Sequence, residues 1–414
     1  MQVVQVNERP PLPILATLSV QHLLAMFGAT VLLPVLLGVD PATILLFNGI
    51  GTLIFLVLCQ GKVPAYLGSS FAYLPPALII IPAYGYGAAL GGFIASGIMF
   101  ILLGMLIGKT GIGWVPVVFP DAAMGAIVTI IGLELAPMAA TMAGLTTTSP
   151  DLVTLGIVTV TLAVMIVGMT ACRGFLRIIP VLLGIVAGCA TSVLLGRAVL
   201  DPVLAAPWFS VPTLYTPAFS LAATVIVVPA SIVTFVELIG HLRVTGTIVG
   251  RDLMTDPGIA RPLYGKGIST VLSGFFGSTP NTTYAENIGV MAITRVYSVY
   301  VLAGTALIAI AISFCGKIPA VIRAIPSSVM GAVALFLFGV IAASGLRMLI
   351  DARTDLSQSR NLILVSLILV LGVSGAVVNI GIAELKGMAL SAVVAIVLGV
   401  FFFVVDRMGW GRGG

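Results

Sequence analysis

Residues 278–290 read Ser-Thr-Pro-Asn-Thr-Thr-Tyr-Ala-Glu-Asn-Ile-Gly-Val, a polar stretch set between apolar segments. A second such stretch, residues 64–76, reads Pro-Ala-Tyr-Leu-Gly-Ser-Ser-Phe-Ala-Tyr-Leu-Pro-Pro. Proline removes a backbone donor and glycine weakens a helix, so neither stretch is expected to form one continuous helix. We therefore predict two broken spans.

The composition places these stretches in a membrane. Hydrophobic residues make up 59% of the 414 residues and charged residues only 8%, whereas ordinary globular proteins are roughly 25% charged. So few charges cannot cover the surface of a soluble protein of this size. The composition predicts a polytopic membrane protein with the lipid bilayer as its solvent.

The same composition argues against several other classes of protein. The 19 Lys and Arg residues are scattered singly between apolar runs and form no basic stripe, which argues against a nucleic-acid partner. Cys59, Cys172, Cys189 and Cys315 show no CxxC spacing, so neither disulfides nor a metal site is indicated. With two histidines and no nucleophile–base spacing, we expect neither an enzyme nor a cofactor.

The apolar segments suggest fourteen crossings, since each crossing needs about 20 apolar residues. Twelve of these segments are uninterrupted: 14–38, 43–59, 87–108, 122–141, 151–171, 178–199, 219–242, 265–277, 296–316, 326–346, 361–380 and 385–405. The two broken stretches, read as 64–83 and 278–294, complete the count.

The distribution of positive charge supports an even count. With fourteen spans and a cytoplasmic N-terminus, only Arg197, Lys317, Arg323 and Lys386 of the 19 Lys and Arg residues fall outside. The others, Lys266 among them, fall on the cytoplasmic side, as the positive-inside rule requires. Both termini are therefore predicted to be cytoplasmic.

The positions of the broken spans predict an inverted repeat. They lie about 215 residues apart, and each is the third span in a group of seven. Because seven is odd, the two halves cross the membrane in opposite senses, as in many secondary transporters. Broken backbone at bilayer depth offers free N–H groups to a small polar molecule. Re-entrant loops or ordinary proline kinks are the alternative reading.

Three ionisable residues within the predicted spans are candidates for binding and proton coupling. Glu237 and His241 are four residues apart and so share one helix face. Glu286 lies in the second broken span. A carboxyl group at bilayer depth is costly, and its default interpretation is functional. Such a group can load and release a proton, which would couple substrate to proton movement.

For other residues in the predicted spans, a structural role explains their presence at least as well as a functional one. His22, preceded by Gln21, is equally well explained as a hydrogen-bonded core histidine. Glu134 lacks polar neighbours in the sequence and is better read as a buried contact or a span-end residue. The aromatic residues Phe71 and Tyr284 are ordinary packing residues unless a flat ligand stacks on them.

At these residues the sequence resembles the nucleobase–ascorbate transporter (nucleobase:cation symporter) family, and within it the bacterial uracil permease branch. The resemblance covers nearly the whole chain. Its most specific segments are Leu-Ser-Val-Gln-His-Leu-Leu-Ala-Met-Phe-Gly-Ala-Thr (18–30), Pro-Ala-Tyr-Leu-Gly-Ser-Ser-Phe-Ala (64–72), Glu-Leu-Ile-Gly-His (237–241), Gly-Phe-Phe-Gly-Ser-Thr-Pro-Asn-Thr-Thr-Tyr (274–284) and Glu-Asn-Ile-Gly-Val-Met-Ala-Ile-Thr-Arg (286–295).

This resemblance implies an all-α polytopic fold of fourteen spans in two inverted repeats of seven. Short antiparallel strands are expected in broken spans 3 and 10. A core domain (14–110 and 217–320) holds spans 1–4 and 8–11, and a gate domain (118–200 and 322–408) holds spans 5–7 and 12–14. Members are commonly dimers, here expected through the gate domain, in the inner membrane of a bacterial cell.

The resemblance also implies site residues. Glu237 and Glu286 would hydrogen-bond a pyrimidine, the backbone at Phe71 and Ala285 would complete the contacts, and Tyr284 would lie beside them. The residues implied in proton coupling are Glu237, His241 and Glu286. Residues in supporting roles are Gln21, His22, Ala29, Ser70, Asn287 and Phe338.

Several positions bear on specificity. Purine-transporting relatives tend to carry Gln where this chain has Glu286, so Glu286 favours a pyrimidine. Ala285 stands where uracil permeases usually have Gly, which adds a methyl group beside the expected ligand. Phe338 and Ala334 replace the Tyr and Ser often seen there, and Leu238 replaces a polar residue.

The predicted function is proton-coupled import of uracil by alternating access. A purine (xanthine or urate) permease of the same family is the alternative within the class. A channel for neutral solutes would need a continuous polar pore lining, and an inorganic-anion transporter would need a positive site, whereas the charges here are acidic.

Overall fold

The computed structural model describes residues 3–149, 151–198, 201–381 and 384–408. The last two residues of the predicted gate segment 118–200, and the C-terminus predicted to be cytoplasmic, lie outside these ranges. The helices are α1 Leu12–Ala25, α2 Phe27–Leu37, α3 Pro41–Leu58, α4 Leu74–Thr110, α5 Val115–Val118, α6 Asp121–Met142, α7 Leu152–Thr170, α8 Pro180–Leu194, α9 Asp201–Ala205, α10 Leu221–Val249, α11 Ala260–Phe276, α12 Ala285–Thr294, α13 Val299–Ser313, α14 Lys317–Arg323, α15 Ser327–Asp351, α16 Ser359–Val373 and α17 Gly387–Arg407. The strands are β1 Leu67–Ser69, β2 Asn281–Thr283, β3 Val377–Asn379 and β4 Glu384–Lys386.

Many of these helices are membrane-spanning by length and composition. In the described ranges, seven stretches are long and apolar enough to cross a bilayer: α3, Phe71–Thr110, α6, α7, α10, α15 and α17. Counting each of the bent pairs α1–α2 (42°) and α13–α14 (86°) as one span gives up to nine. The protein is a multi-pass membrane protein, and the count of fourteen crossings stays a prediction.

A glycine divides the longest of these stretches. Phe71–Thr110 has 40 residues, which as one helix would extend roughly 60 Å, about twice the ~30 Å hydrocarbon core. Gly85 interrupts it with φ 81° and ψ 165°, a conformation that residues with a side chain rarely adopt. The predicted fourth span (87–108) and the later part of the predicted third span (64–83) fall within this stretch, on opposite sides of Gly85.

The two broken spans meet in a short antiparallel ladder, as predicted. β1 pairs with β2 in the register Leu67↔Thr283, Gly68↔Thr282 and Ser69↔Asn281. All six residues are buried. A Cβ atom at Gly68 would overlap the ring of Tyr284, so this close approach of the two segments requires glycine.

Helix packing separates into two sets. In the first set α3 packs on α11 and α13, and α4 packs on α10 and α11. In the second set α6 packs on α15 and α16, and α7 packs on α8 and α15. The sets touch where α10 meets α6 and α17, and where α2 meets α8 and α15.

The predicted span 361–380 is wrong over its last third. α16 ends at Val373, and β3 then pairs with β4 in an antiparallel hairpin, with Val378 opposite Leu385. Gly375 ends the helical run with φ 71°. Val378 is 45% exposed, so these apolar residues form a surface hairpin instead of continuing the span.

Candidate functional site

A cavity of about 270 Å³ lies at the ends of the two paired strands. Its polar wall comes from the broken spans and α10, and its apolar wall comes from α6 and α15. The lining residues are Ser69, Phe71, Ala72, Glu237, His241, Thr282, Thr283, Tyr284, Ala285 and Glu286 on the first wall, and Val128, Ile131, Leu337, Val340, Ile341 and Ser344 on the second.

Both broken spans change from strand to helix at this cavity. After β1, a short 3₁₀ helix begins at Phe71 and leads into α4, and after β2, α12 begins at Ala285. The first N–H groups of a helix have no partner within the helix, and they carry a partial positive charge. The two helix starts therefore present backbone donors to the cavity. A hydrogen bond links the two broken spans beside these helix starts: the Tyr284 hydroxyl donates to the Ser69 carbonyl at 3.1 Å.

The side chains of α10 are held against β2 by consecutive threonines. The Thr282 hydroxyl donates to Glu237 Oε2 at 2.9 Å. The next hydroxyl, on Thr283, lies 2.7 Å from Nδ1 of His241. Glu286, in the first turn of α12, lines the same cavity. Two carboxyl groups and one imidazole thus share one small chamber.

Aromatic packing closes the side of the cavity toward α15. The rings of Phe71 and Phe338 meet edge to face, with centroids 5.7 Å apart and an interplanar angle of 80°. Phe338 is 1% exposed, and Ala334 and Leu238 are fully buried. Phe338, Ala334 and Leu238, three of the four positions noted above as departures from the resembled family, are thus packing positions, and Phe338 supports the ring of Phe71.

The predicted supporting residues lie behind the cavity. In the described ranges, none of them belongs to its lining. Asn287 Nδ2 lies 3.0 Å from His22 Nδ1, which makes His22 a hydrogen-bonded core histidine. Ser70 N donates to the Pro280 carbonyl at 3.0 Å and so helps to hold the strand pair. Gln21 is partly buried on α1, and Ala29 is buried on α2.

Glu134 lies in the middle of α6, so it makes a contact with another helix and is not a span-end residue. Its Oε2 accepts a hydrogen bond from the backbone N–H of Met388 at 2.9 Å, in the first turn of α17. A carboxylate near a helix N-terminus is favoured by the helix dipole. Glu134 therefore joins α6 to α17 and lies apart from the residues that line the cavity.

Lys266 is a residue that the sequence analysis misplaced. Charge counting placed it among the lysines and arginines on the cytoplasmic side, without expecting it to be buried, whereas it is 0% exposed on α11. Its Nζ donates to the Thr234 carbonyl at 2.6 Å and to Thr282 Oγ1 at 3.3 Å. The signal was present in the sequence, since a lone lysine in an apolar segment is a functional candidate by default.

The arrangement suits a small, flat molecule that has both donors and acceptors. Ionised carboxylates accept N–H groups, while the helix starts donate to carbonyl oxygens. A chamber of about 270 Å³ is at the small end of ligand pockets, which excludes large substrates.

Comparison with known proteins supports this description. A sequence model of the permease family matches residues 14–381. The chain is 55% identical over 404 residues to the uracil permease of Escherichia coli strain K12, covering 97% of this chain and 94% of that protein. It is 52% identical over 415 residues to the uracil permease of Paenibacillus larvae, covering 99% of both. It is 43% identical to the uracil permease of Bacillus subtilis, covering 92% of this chain and 90% of that protein.

Two solved membrane proteins share the fold. SLC26A9 superposes with a TM-score of 0.71 at 13% identity, over 95% of this chain and 65% of that protein. The transmembrane domain of the cyanobacterial bicarbonate transporter BicA superposes with a TM-score of 0.63 at 14% identity, over 96% of this chain and all of that domain. The resemblance predicted from the sequence is confirmed by the family match and the relatives, and the chain belongs to this permease family.

Proposed function

We propose that the protein is a secondary active transporter that imports uracil together with protons. The observation that carries this proposal is the cavity at the strand pair, where Glu237 and Glu286 line the same chamber as Phe71 and Ala285, the first residues of two helices. Relatives at 52–55% identity named uracil permease support the choice of uracil.

The ring of uracil alternates N–H and C=O groups, and the cavity offers a partner for each kind. In the proposed complex, Glu237 and Glu286 accept the ring N–H groups, and the backbone N–H groups at Phe71 and Ala285 donate to the carbonyls. The side chains of Phe71 and Tyr284 contact the faces or edges of the ring. The methyl group of Ala285 narrows the pocket beside the ligand.

Proton coupling follows from the same carboxyl groups. A protonated carboxyl donates one hydrogen bond, whereas an ionised one only accepts. Loading a proton on Glu237 or Glu286 therefore changes both the charge of the site and its pairing with the ring. His241, one turn from Glu237 and paired with Thr283, is placed to assist this step.

Alternating access is favoured by the position of the cavity between the two helix sets. Its polar wall belongs to the proposed core domain (14–110 and 217–320), and its apolar wall belongs to the proposed gate domain (118–200 and 322–408). Movement of one set past the other would open the site to either side, as in inverted-repeat transporters. We propose that the gate domain also forms the homodimer contact in the bacterial inner membrane.

Uptake of radiolabelled uracil by cells that lack their own permease tests the proposal. We expect accumulation that a protonophore abolishes and that excess xanthine leaves unchanged. Inhibition by xanthine would assign the protein to purines, and uptake insensitive to the protonophore would exclude proton coupling. Chemical alteration of uracil by the purified protein would indicate an enzyme.

A further inference from the structure

Lys266 lies in a closed environment between α4, α10 and β2. The Lys266 side chain is fully buried, and two of its three ammonium donors are used by the Thr234 carbonyl at 2.6 Å and Thr282 Oγ1 at 3.3 Å. The ammonium also lies 4.8 Å from the centroid of the Phe100 ring, within the range of a cation–π contact. These partners satisfy the donors, but they carry no opposite charge.

The opposite charge is the carboxylate of Glu237, which is hydrogen-bonded to the same threonine, Thr282. The Thr282 hydroxyl accepts from Lys266 and donates to Glu237 Oε2 at 2.9 Å. An ammonium group can only donate and an ionised carboxylate can only accept, whereas a hydroxyl group does both. The hydroxyl is therefore fixed in one orientation. The three groups form a chain of hydrogen bonds in which each donor points toward Glu237.

We propose that Lys266 is the buried counter-charge and positioning residue of Glu237, acting through Thr282. It offsets the negative charge of this carboxylate in the membrane and holds the carboxylate oxygens toward the cavity. The other ionisable residues in the cavity lining, His241, Tyr284 and Glu286, lie outside this chain of hydrogen bonds. The inference rests on the proposed function in that Glu237 is taken as a ligand for the substrate.

A structural role would have different consequences. If Lys266 only joined α11 to α10 through the Thr234 carbonyl, its loss would cost the same whether or not Glu237 is charged. If it compensates Glu237, its removal alone leaves a buried carboxylate without a counter-charge, which is more damaging than removing both charges. The two roles are therefore separated by a double-mutant cycle.

The first experiment measures the melting temperature of the full-length protein in detergent for wild type, Lys266→Met, Glu237→Gln and the double variant. We expect Lys266→Met to lower it strongly, and the double variant to recover at least half of that loss. A double variant that melts at the sum of the two single shifts would overturn the proposal. Should Lys266→Met fail to fold, recovery of a folded protein in the double variant supports it, and failure of both overturns it.

The exposed ion pair of Lys62 and Asp256 is the matched control. Its atoms lie 2.5 Å apart, and the side chains are 37% and 70% exposed. Pairs of this kind contribute little to stability, so Lys62→Met, Asp256→Asn and their double variant should melt near the wild type. This cycle corrects for the general effect of removing a lysine or an acid.

A second experiment measures uracil binding by the purified protein after Thr282→Val, a substitution that preserves size and both charges but removes the connecting hydroxyl. We expect affinity to fall at least tenfold, in parallel with Lys266→Met. Wild-type affinity in Thr282→Val would overturn the positioning role. If the wild-type protein binds no uracil, the proposed function fails, whereas the melting cycle still decides whether Lys266 compensates Glu237.

Discussion

At the scale of single residues, the carboxyl group of Glu237 is the most direct test of the transport mechanism. Glu237→Gln keeps the size and one acceptor but cannot take up a proton. We expect concentrative uracil uptake to disappear, while weakened binding remains, since losing a charged hydrogen-bond partner costs about 1.5–3 kcal/mol. Uptake assays, combined with measurements of uracil binding to the purified protein, would separate the loss of uptake from the weakening of binding.

Glu134 provides the control for that variant. It is also a carboxyl group within a predicted span, but it accepts from Met388 N at the start of α17. Glu134→Gln should lower the melting temperature modestly and leave protonophore-sensitive uptake in place. Accumulation at the wild-type level in Glu237→Gln would contradict the role assigned to Glu237.

Ala285 is expected to affect selectivity more than transport itself. It lines the cavity at the start of α12, where its methyl group adds bulk beside the proposed ligand. Ala285→Gly should preserve uracil uptake and widen acceptance of 5-substituted pyrimidines, as measured by competition. Loss of all uptake would mean that this residue has been placed wrongly.

The residues show where prediction from sequence succeeds and where it fails. Glu237, His241 and Glu286 could be found because charged groups are rare in apolar spans, and the cavity brings all three together. Lys266 was misassigned because charge counting treats a lysine near a span end as a surface residue. The apolar segment around it marks Lys266 as a candidate, but its partners Phe100 and Thr282 come from other elements, so the sequence does not show which groups surround it.

At the scale of elements, the strand pair depends on the absence of a side chain at one position. A Cβ atom at Gly68 would overlap the ring of Tyr284. Gly68→Ala should therefore force β1 and β2 apart, lower the melting temperature and abolish uracil binding. Gly289→Ala on α12 is the control, since a Cβ atom there has no neighbour within 4 Å. Equal behaviour of the two variants would show that the close approach is unimportant.

The elements also differ in how far the sequence determines them. The breaks at residues 64–76 and 278–290 could be predicted because proline and glycine interrupt helices whatever their surroundings. The hairpin of β3 and β4 could not, because Val377 and Val378 look like part of an apolar span in sequence. They are exposed because the helical run stops after α16, where Gly375 adopts a positive φ. A hydropathy profile does not take the position of this glycine into account.

At the scale of the whole molecule, alternating access predicts that joining the two helix sets stops transport. Arg243 of α10 and Asp121 of α6 lie 3.8 Å apart across the boundary, and both are more than half exposed. In a variant free of native cysteines, Arg243→Cys with Asp121→Cys should lose uracil uptake when a bifunctional thiol reagent is added. A cleavable reagent should allow uptake to return after reduction.

A cross-link within one set is the control for this experiment. Lys62 and Asp256 are also paired and exposed, but both belong to the proposed core domain. Cysteines at these positions should react with the same reagent and leave uptake intact. Equal transport by both cross-linked proteins would contradict movement between the sets.

The strand pair has a consequence for how the protein is made. β1 and β2 are about 215 residues apart in the chain, and each satisfies backbone groups of the other. We therefore expect the first half to enter the membrane during synthesis with the edge of β1 unpaired. β1 can pair only after β2, which ends at Thr283, has left the ribosome. We expect the isolated first half to be captured by membrane chaperones or degraded. Ligand binding should appear only once the second half has been inserted.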